Sequence, residues 1–189
     1  MQLAWACRIA SRQEVPAWAT GPWLLHEAAL FQSLWDCLHP GDVLLADRGF
    51  CNWALLAQCL QREIHAVFRV KGVRRRDFRQ GKRLGRDERL VQWRKPPQRA
   101  TTVDAKAWAL LPEVLTLRLV RCRLAIPGFR TRQVILVTTL LDSQKYPPQA
   151  LSELYFRRWA MELTLRNIKT TLQMDRMRLH SQVQSKTVA

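Results

Sequence analysis

The last fifth of the chain contains no residue that breaks a helix. Gly and Pro are absent from Gln149 to Ala189, and Pro147 and Pro148 stand just before this stretch, where prolines suit a helix start. At 100° per residue, apolar side chains recur within one arc of about 60°. These side chains are Ala150, Leu154, Met161, Leu165, Ile168 and Leu172. The pattern predicts a long amphipathic helix that buries this apolar stripe.

Four polar residues of the same stretch also share one side of the predicted helix. Tyr155, Arg158, Glu162 and Lys169 fall within about 60° of each other, on an arc roughly 80° from the apolar stripe. One interpretation is a solvated flank with an ordinary Arg158–Glu162 pair at i, i+4. The other is a single working site, which requires chemical partners elsewhere in the chain.

The first third of the chain has the element order of an α/β protein. Helical spacing of apolar residues runs from Trp23 to Leu38 and again from Cys51 to Gln61. Between them, Val43 to Ala46 is a short continuous apolar run, which is typical of a strand buried on both faces. Asp47 follows directly at the end of that strand. This order of predicted elements, a helix, a strand and a second helix, indicates an α/β fold.

The middle of the chain reads as β-structure. Strands are predicted at 65–70, 90–93, 115–126 and 133–140, with a short one near 3–10, whereas the basic stretch 74–89 is expected to be exposed and mobile. This arrangement predicts an insertion inside a parent domain. The expected division is 1–64 for a core with helix, strand and helix, 65–141 for a β-rich basic insertion, and 142–189 for a C-terminal core helix.

The charge of the chain favours a polyanionic partner. The net charge is +16, and residues 62–99 hold 14 basic residues against four acidic ones. The basic residues lie in arms and at strand ends, which suits contact with phosphates more than reading of bases. Nucleic acid is therefore the expected partner, with a merely soluble basic surface as the alternative.

Other classes of protein are not supported by the composition. No run of about 18 apolar residues is present, so no transmembrane helix is expected. The N-terminus lacks the basic and apolar segments of a secretory signal. The five Cys form no C-x-x-C pair and the four His do not stand at ligand spacing. We therefore expect a cytoplasmic protein with reduced thiols and without a zinc site.

The spacing of the four polar helix residues resembles that of a known family. The pattern Y-x₂-R-x₃-E-x₆-K is formed by Tyr155, Arg158, Glu162 and Lys169. It is similar to the YREK signature of DDE transposases from bacterial insertion sequences. The segments LADRGF around Asp47, VTTLLDSQKYPPQALSELY before the signature and LQMDRMR after it also resemble that group. The resemblance covers nearly the whole chain and favours a working site over a solvated flank.

The resemblance implies a fold, a reaction and a set of residues. The expected fold is a partial RNase H-like core with a β-rich insertion ahead of the Glu-bearing helix. The expected reaction is hydrolysis and strand transfer at DNA phosphodiesters with two Mg²⁺ or Mn²⁺ ions. Asp47 and Glu162 would be the catalytic, metal-binding carboxylates. Tyr155, Arg158 and Lys169 would bind the double-stranded DNA of transposon ends, with Arg166 and Trp159 as further candidates for DNA contact.

One carboxylate of the family pattern has no counterpart. Glu14, Glu27, Asp36 and Asp42 precede Asp47, and none has the expected place on a first core strand. Too little chain precedes residue 43 for the missing strands, which would leave the central sheet with an open edge. We therefore expect a fragment truncated at both ends, or a miscalled start codon, with little cleavage activity.

Three other functions remain open at this stage. The chain could be a DNA-binding module without catalytic ancestry, or an inhibitory partner of a full-length transposase, with self-association also open. A host nuclease of the same core fold is the third. For a transposase fragment, we expect sequence-independent DNA affinity through the 62–99 block and the C-terminal helix.

Overall fold

The computed structural model describes residues 2–10, 13–21, 31–32, 35–72, 77–124 and 132–158. The strands are β1 (Gln2–Ala10), β2 (Gln13–Gly21), β3 (Val43–Ala46), β4 (His65–Arg69), β5 (Lys82–Gly85), β6 (Glu88–Arg94), β7 (Val114–Leu124) and β8 (Arg132–Thr138). The helices are α1 (Trp53–Gln61), α2 (Asp77–Gln80), α3 (Ala105–Leu110) and α4, described over 148–158. The mixed α/β class predicted from the sequence is confirmed.

All these strands belong to one sheet with the order β2-β1-β3-β4-β8-β7-β6-β5. Only β3 and β4 run parallel, and α1 makes the crossover between them. Every other neighbouring pair is antiparallel. The strands of the predicted insertion therefore continue the sheet that contains β3. The division into three domains stays a prediction.

The sheet has an apolar layer on each face, as the continuous apolar runs of its central strands require. Successive residues point to opposite faces, so Leu44 and Leu45 of β3 enter different clusters. Leu44 packs with α1, including Leu56. Leu45 packs with Leu151 and Tyr155 of α4. The sheet is thus covered by α1 on one face and α4 on the other.

Helix α1 begins where the sequence places a capping residue. The side-chain oxygen of Asn52 accepts a hydrogen bond from the Leu55 N–H at 2.8 Å, which satisfies a backbone donor of the first turn. Trp53 is buried and donates its indole N–H to the carbonyl of Trp93 on β6, at 3.0 Å. The predicted helix over Cys51–Gln61 is confirmed, two residues shorter at its start.

Helix α4 is rotated relative to the sequence prediction. The apolar stripe was expected to include Ala150 and Leu154, but Ala150 is exposed and Leu154 is half-buried. The buried residues are instead Leu151, Tyr155 and Arg158, at 2%, 2% and 4% exposure. They recur at i, i+4 and i+7, so they form one face. The side that carries Tyr155 and Arg158 is therefore the side that packs on the sheet.

Two further expectations were wrong in detail. The stretch 74–89 is not an exposed excursion throughout, because β5 pairs with β6 in a hairpin and Glu88 is buried. The chain before residue 43 also holds two long strands, and β1 pairs with β3. The edge of β3 is therefore covered, and the outermost strands of the sheet are β2 and β5.

The helix predicted over 23–38 lies mostly outside the described residues, which show helix at 31–32 and a 3₁₀ turn at Trp35–Cys37.

A buried arginine fixes the segment that leads into α4. Arg118 on β7 has no exposed surface and binds the Glu88 carboxylate, with Nε at 2.8 Å and Nη2 at 2.6 Å from Oε2. Its Nη1 donates to the carbonyls of Leu140, Asp142 and Tyr146, at 3.3, 3.3 and 2.8 Å. One side chain thus connects two strands to the approach of α4. This arginine, at a position that alternates with apolar residues, is structural and does not reach solvent.

Candidate active site

Asp47 lies at the carboxyl end of β3, where this strand leaves the sheet. Parallel strands end at the same edge, so the ends of β3 and β4 lie side by side there. The Asp47 side chain is 40% exposed, although the strand before it is buried. A carboxylate at the end of a buried strand has a fixed backbone and an accessible head, which suits a reactive or ligand-binding group.

Helix α4 brings two residues of the signature to this carboxylate. The Tyr155 hydroxyl donates to Asp47 Oδ1 at 3.4 Å, across 108 residues of sequence. Arg158 Nη2 lies 3.9 Å from the same oxygen and donates to the Tyr155 hydroxyl at 3.4 Å. These distances are at the long end for hydrogen bonds, so the attraction is largely electrostatic. The carboxylate is held near two polar groups without a tight bond to either.

A third group at the site was not predicted. Arg69 ends β4, and its Nη1 lies 4.0 Å from Asp47 Oδ1. Two guanidinium groups therefore face one carboxylate oxygen, Arg69 partly exposed and Arg158 almost fully buried. The sequence signal was present, because a polar residue ends each of two consecutive strands joined by a helix. The parallel pairing that makes those two ends neighbours became visible only in the fold.

The phenol of Tyr155 is held in its neutral form. Burial raises its pKa to about 12, and the Asp47 carboxylate also acts to raise it, while Arg158 and Arg69 oppose both effects. A neutral phenol can donate a hydrogen bond to an anionic oxygen at any physiological pH. The Tyr155 hydroxyl and the guanidinium groups of Arg69 and Arg158 are therefore hydrogen-bond donors that can bind an anion next to the Asp47 carboxylate.

Other predicted site residues lie outside the described part of the chain. These are Trp159, Glu162, Arg166 and Lys169. Of the seven residues singled out from the sequence, the structure therefore describes Asp47, Tyr155 and Arg158, and it brings all three together. Within the described ranges, no three His, Cys, Asp or Glu side chains converge as a metal site would require. The catalytic and metal-binding roles stay predictions.

The carboxylates that precede Asp47 do not stand beside it, as far as they are described. Asp42 is buried at the opposite end of β3, where it accepts a hydrogen bond from the His39 N–H at 2.7 Å. Glu14 lies in β2, although the sequence did not predict a strand there. Its register partner on β1 is Ile9, and Ile9 is also paired with Val43 at the start of β3. Glu14 is therefore level with the start of β3. Asp36 is exposed in the 3₁₀ turn, and Glu27 is not described.

The fold and the site together are a mixed α/β sheet whose strand-end aspartate is faced by Tyr and Arg from a helix. The family comparison is specific: residues 8–187 match the model of the transposase DDE domain. The chain therefore belongs to the transposase DDE domain family.

One relative makes the family more particular. The chain is 26% identical over 156 residues, or 82% of its length, to the transposase InsG for insertion sequence element IS4 of Escherichia coli (strain K12). The match includes 33% of that protein, so the chain spans about a third of the length of this curated relative. None of the described helices combines the length and apolar character that a membrane crossing needs.

Proposed function

We propose that this chain carries the part of a YREK-type DDE transposase that binds DNA and holds the second Asp and the Glu of the catalytic triad. The observation that carries the proposal is the meeting of Asp47 with Tyr155 and Arg158, since a solvated helix flank would not bury these two residues against a strand-end carboxylate. Because the chain spans about a third of the InsG transposase, the activity of a whole transposase is part of what is proposed.

The proposed roles follow from the chemistry of each group. Asp47 and Glu162 would hold a divalent metal ion, and Tyr155, Arg158 and Lys169 would contact DNA phosphates near it, with Arg166 and Trp159 as further contacts. A guanidinium group provides paired donors for a phosphate oxygen. Arg69 joins this set, because it faces the same carboxylate oxygen as Arg158. The RNase H-like character of the core and the insertion of residues 65–141 are part of the same proposal.

The Asp47 carboxylate is suited to Mg²⁺ or Mn²⁺. It is an oxygen ligand, its head is accessible, and its contacts with Arg69 and Arg158 are 4.0 and 3.9 Å long, so a cation could displace them. A bound metal ion would supply charge stabilisation at the oxygens of a reacting phosphodiester. The arginines and Tyr155 would orient the phosphate beside it.

We also propose that cleavage by this chain alone is weak. A DDE site needs a third carboxylate, and neither Asp42 nor Glu14 is placed to supply it, since both are level with the start of β3 rather than its end. A second candidate function follows from this point. The chain would then be a non-catalytic DNA-binding protein, or an inhibitory partner of a full-length transposase, favoured by its net charge of +16.

Nicking of supercoiled plasmid in Mg²⁺ or Mn²⁺ tests the catalytic part of the proposal. We expect DNA binding with little nicking by the wild-type chain. The matched controls are Glu162→Gln and Asp47→Asn, which keep the shape of each side chain. Metal-dependent nicking that both variants lack would show that another carboxylate completes the site. Absence of DNA binding at low salt would contradict the whole proposal.

Mixing the chain with an intact transposase separates the two candidate functions. An inhibitory partner lowers transposition in proportion to its concentration, and it does so even when Asp47→Asn removes any remaining chemistry. A chain that acts only by occupying DNA is overcome by added competitor duplex, whereas one that acts by forming mixed oligomers is not.

A further inference from the structure

A groove of about 740 Å³ opens beside β7, between the β5–β6 turn and α4. Its arginines are Arg86 from the turn, Arg121 and Arg123 from β7, and Arg157 from α4. The groove exists because β6 is too short to cover its neighbour. Pairing between β6 and β7 stops at Glu88↔Val120, and β7 continues to Leu124 with β8 alone.

Two of the three acidic groups in this groove are paired with arginines. Three carboxylates line it, those of Asp87, Glu88 and Glu153. Glu88 is bound by the buried Arg118 at 2.6 Å, and Asp87 lies 3.6 Å from Arg121 Nη1. Arg86, Arg123 and Arg157 are exposed, against one exposed carboxylate, Glu153. The groove therefore presents more accessible positive than negative charge, which favours a polyanion over an acidic or neutral small molecule.

The groove lies at the same end of the sheet as Asp47. Arg69, at the end of β4, pairs with Leu136 of β8, and the Val70 N–H donates to the Ile135 carbonyl at 2.9 Å. The next strand places Arg121 opposite Ile135 and Arg123 opposite Gln133. The carboxyl ends of β3, β4 and β7 therefore share one edge.

The distance between the two places suits a nucleic-acid backbone. From β3 to β7 there are three strand spacings, or about 14 Å at 4.8 Å each. That distance corresponds to roughly four base pairs of duplex at 3.4 Å per step. Arg157 and Arg158 are consecutive on α4, with Arg158 at the site and Arg157 in the groove. A backbone that leaves the site along this edge would thus meet the groove within one short segment.

We infer that this groove is a second contact region for DNA phosphates, which extends the duplex away from the Asp47 site. The inference rests on the proposed function, and it adds a surface outside the signature residues. Exposed arginines on separate elements give sequence-independent contacts, so the groove would contribute affinity and orientation, and no base reading.

The test compares two pairs of substitutions with equal loss of charge. The groove pair is Arg123→Gln with Arg157→Gln. The control pair is Arg94→Gln, at the opposite end of β6, with Lys106→Gln on α3; both residues are exposed, and neither lines the groove. Binding of a fluorescent duplex of arbitrary sequence is measured by anisotropy between 50 and 200 mM salt, roughly the range in which phosphate contacts dominate affinity. Thermal unfolding confirms that each variant is folded.

We expect the slope of log K against log salt to become shallower by about 1.8 for the groove pair, since each lost phosphate contact removes about 0.9. The control pair should change it by less than half as much. Equal slopes for the two pairs would overturn the inference. If Arg69→Gln weakens DNA binding while the groove pair does not, the inference about the groove is wrong and the proposed Asp47 site is supported. If the wild-type chain shows no salt-dependent DNA binding, both the inference and the proposed function are wrong.

Discussion

The phenol of Tyr155 connects the stability of the fold to the state of the site. Its pKa is raised by burial to about 12, above the ordinary value of 10. A group whose pKa is higher in the folded state stabilises that state while it is protonated in both. This contribution is complete below pH 10 and is lost as the pH rises from 10 to about 12.

Substitution of Tyr155 by Phe should therefore change the alkaline unfolding of the chain. The free energy of unfolding of the wild type relative to Tyr155→Phe should fall by about 2–3 kcal/mol across that window, since each pKa unit corresponds to 1.36 kcal/mol. Urea unfolding at a series of pH values measures it. A Leu151→Met variant, buried in the same cluster but without a titrating group, should show a constant difference from the wild type. A constant difference for Tyr155→Phe as well would contradict the prediction.

At the scale of residues, the sequence predicted the meeting of Asp47 with Tyr155 and Arg158 through the family resemblance. Composition and spacing alone did not exclude the alternative that Tyr155 and Arg158 belong to a solvated flank of the helix. Arg69 was missed because its role depends on the parallel register of β3 and β4, which brings Phe68 opposite Ala46. No local pattern within one strand contains that information.

The segment that leads into α4 depends on one buried ion pair. Arg118→Met should lower the free energy of unfolding by about 3–5 kcal/mol, because the buried Glu88 carboxylate would lose its partner and three carbonyls would lose a donor. Chemical denaturation measures the change. Arg94→Gln, an exposed change on the neighbouring β6, should shift stability by less than about 0.5 kcal/mol.

A double substitution separates the ion pair from the other contacts of Arg118. Glu88→Gln together with Arg118→Met leaves no unpaired buried charge, so it should cost less than the sum of the two single changes. Strict additivity of the two changes would show that the pair is not coupled in the folded chain.

The cap of α1 supports a smaller prediction. Asn52→Ala should destabilise the chain by about 1 kcal/mol, because the Leu55 N–H loses its side-chain acceptor. Asn52→Ser retains an oxygen at a similar place and should recover most of the loss in a thermal unfolding measurement. Equal losses for Ala and Ser would mean that the side chain of Asn52 acts in some other way, for instance through its Nδ2 donation to Phe50.

At the scale of elements, the buried strands were predictable and the edge hairpin was not. β3, β4 and β8 are central, so their apolar runs are explicit in the sequence. β5 is an edge strand with Lys82, Arg83 and Leu84 exposed, so its sequence lacks the alternation of apolar and polar residues that indicates a strand.

The rotation of α4 relative to its prediction has a related cause. Tyr155 and Arg158 were counted as polar, but they are the residues that the helix buries.

For the whole molecule, reactivity of the cysteines reports on the fold. Four cysteine side chains are described, of which Cys37 is exposed and Cys51, Cys59 and Cys122 are buried. Burial raises the pKa of Cys122 to about 11 and raises that of Cys59 still further, which leaves little reactive thiolate in either. In the native chain near neutral pH, Cys37 should react with iodoacetamide well before the other three.

Peptide mapping of the alkylated protein measures this order, and denaturant serves as the control because it should make all the thiols react alike. Labelling of Cys59 as fast as Cys37 in the native state would contradict the packing of α1 against the sheet, where Cys59 has no exposed surface.

The 108 residues that separate Asp47 from Tyr155 also set an order of events during synthesis. At about 5–20 residues per second, a ribosome needs roughly 5–20 s to pass from the first of these residues to the second. Throughout that interval the emerging chain has a strand-end carboxylate but lacks the helix that faces it. Whatever chemistry the site performs is therefore withheld until α4 has left the ribosome and closed over the finished sheet.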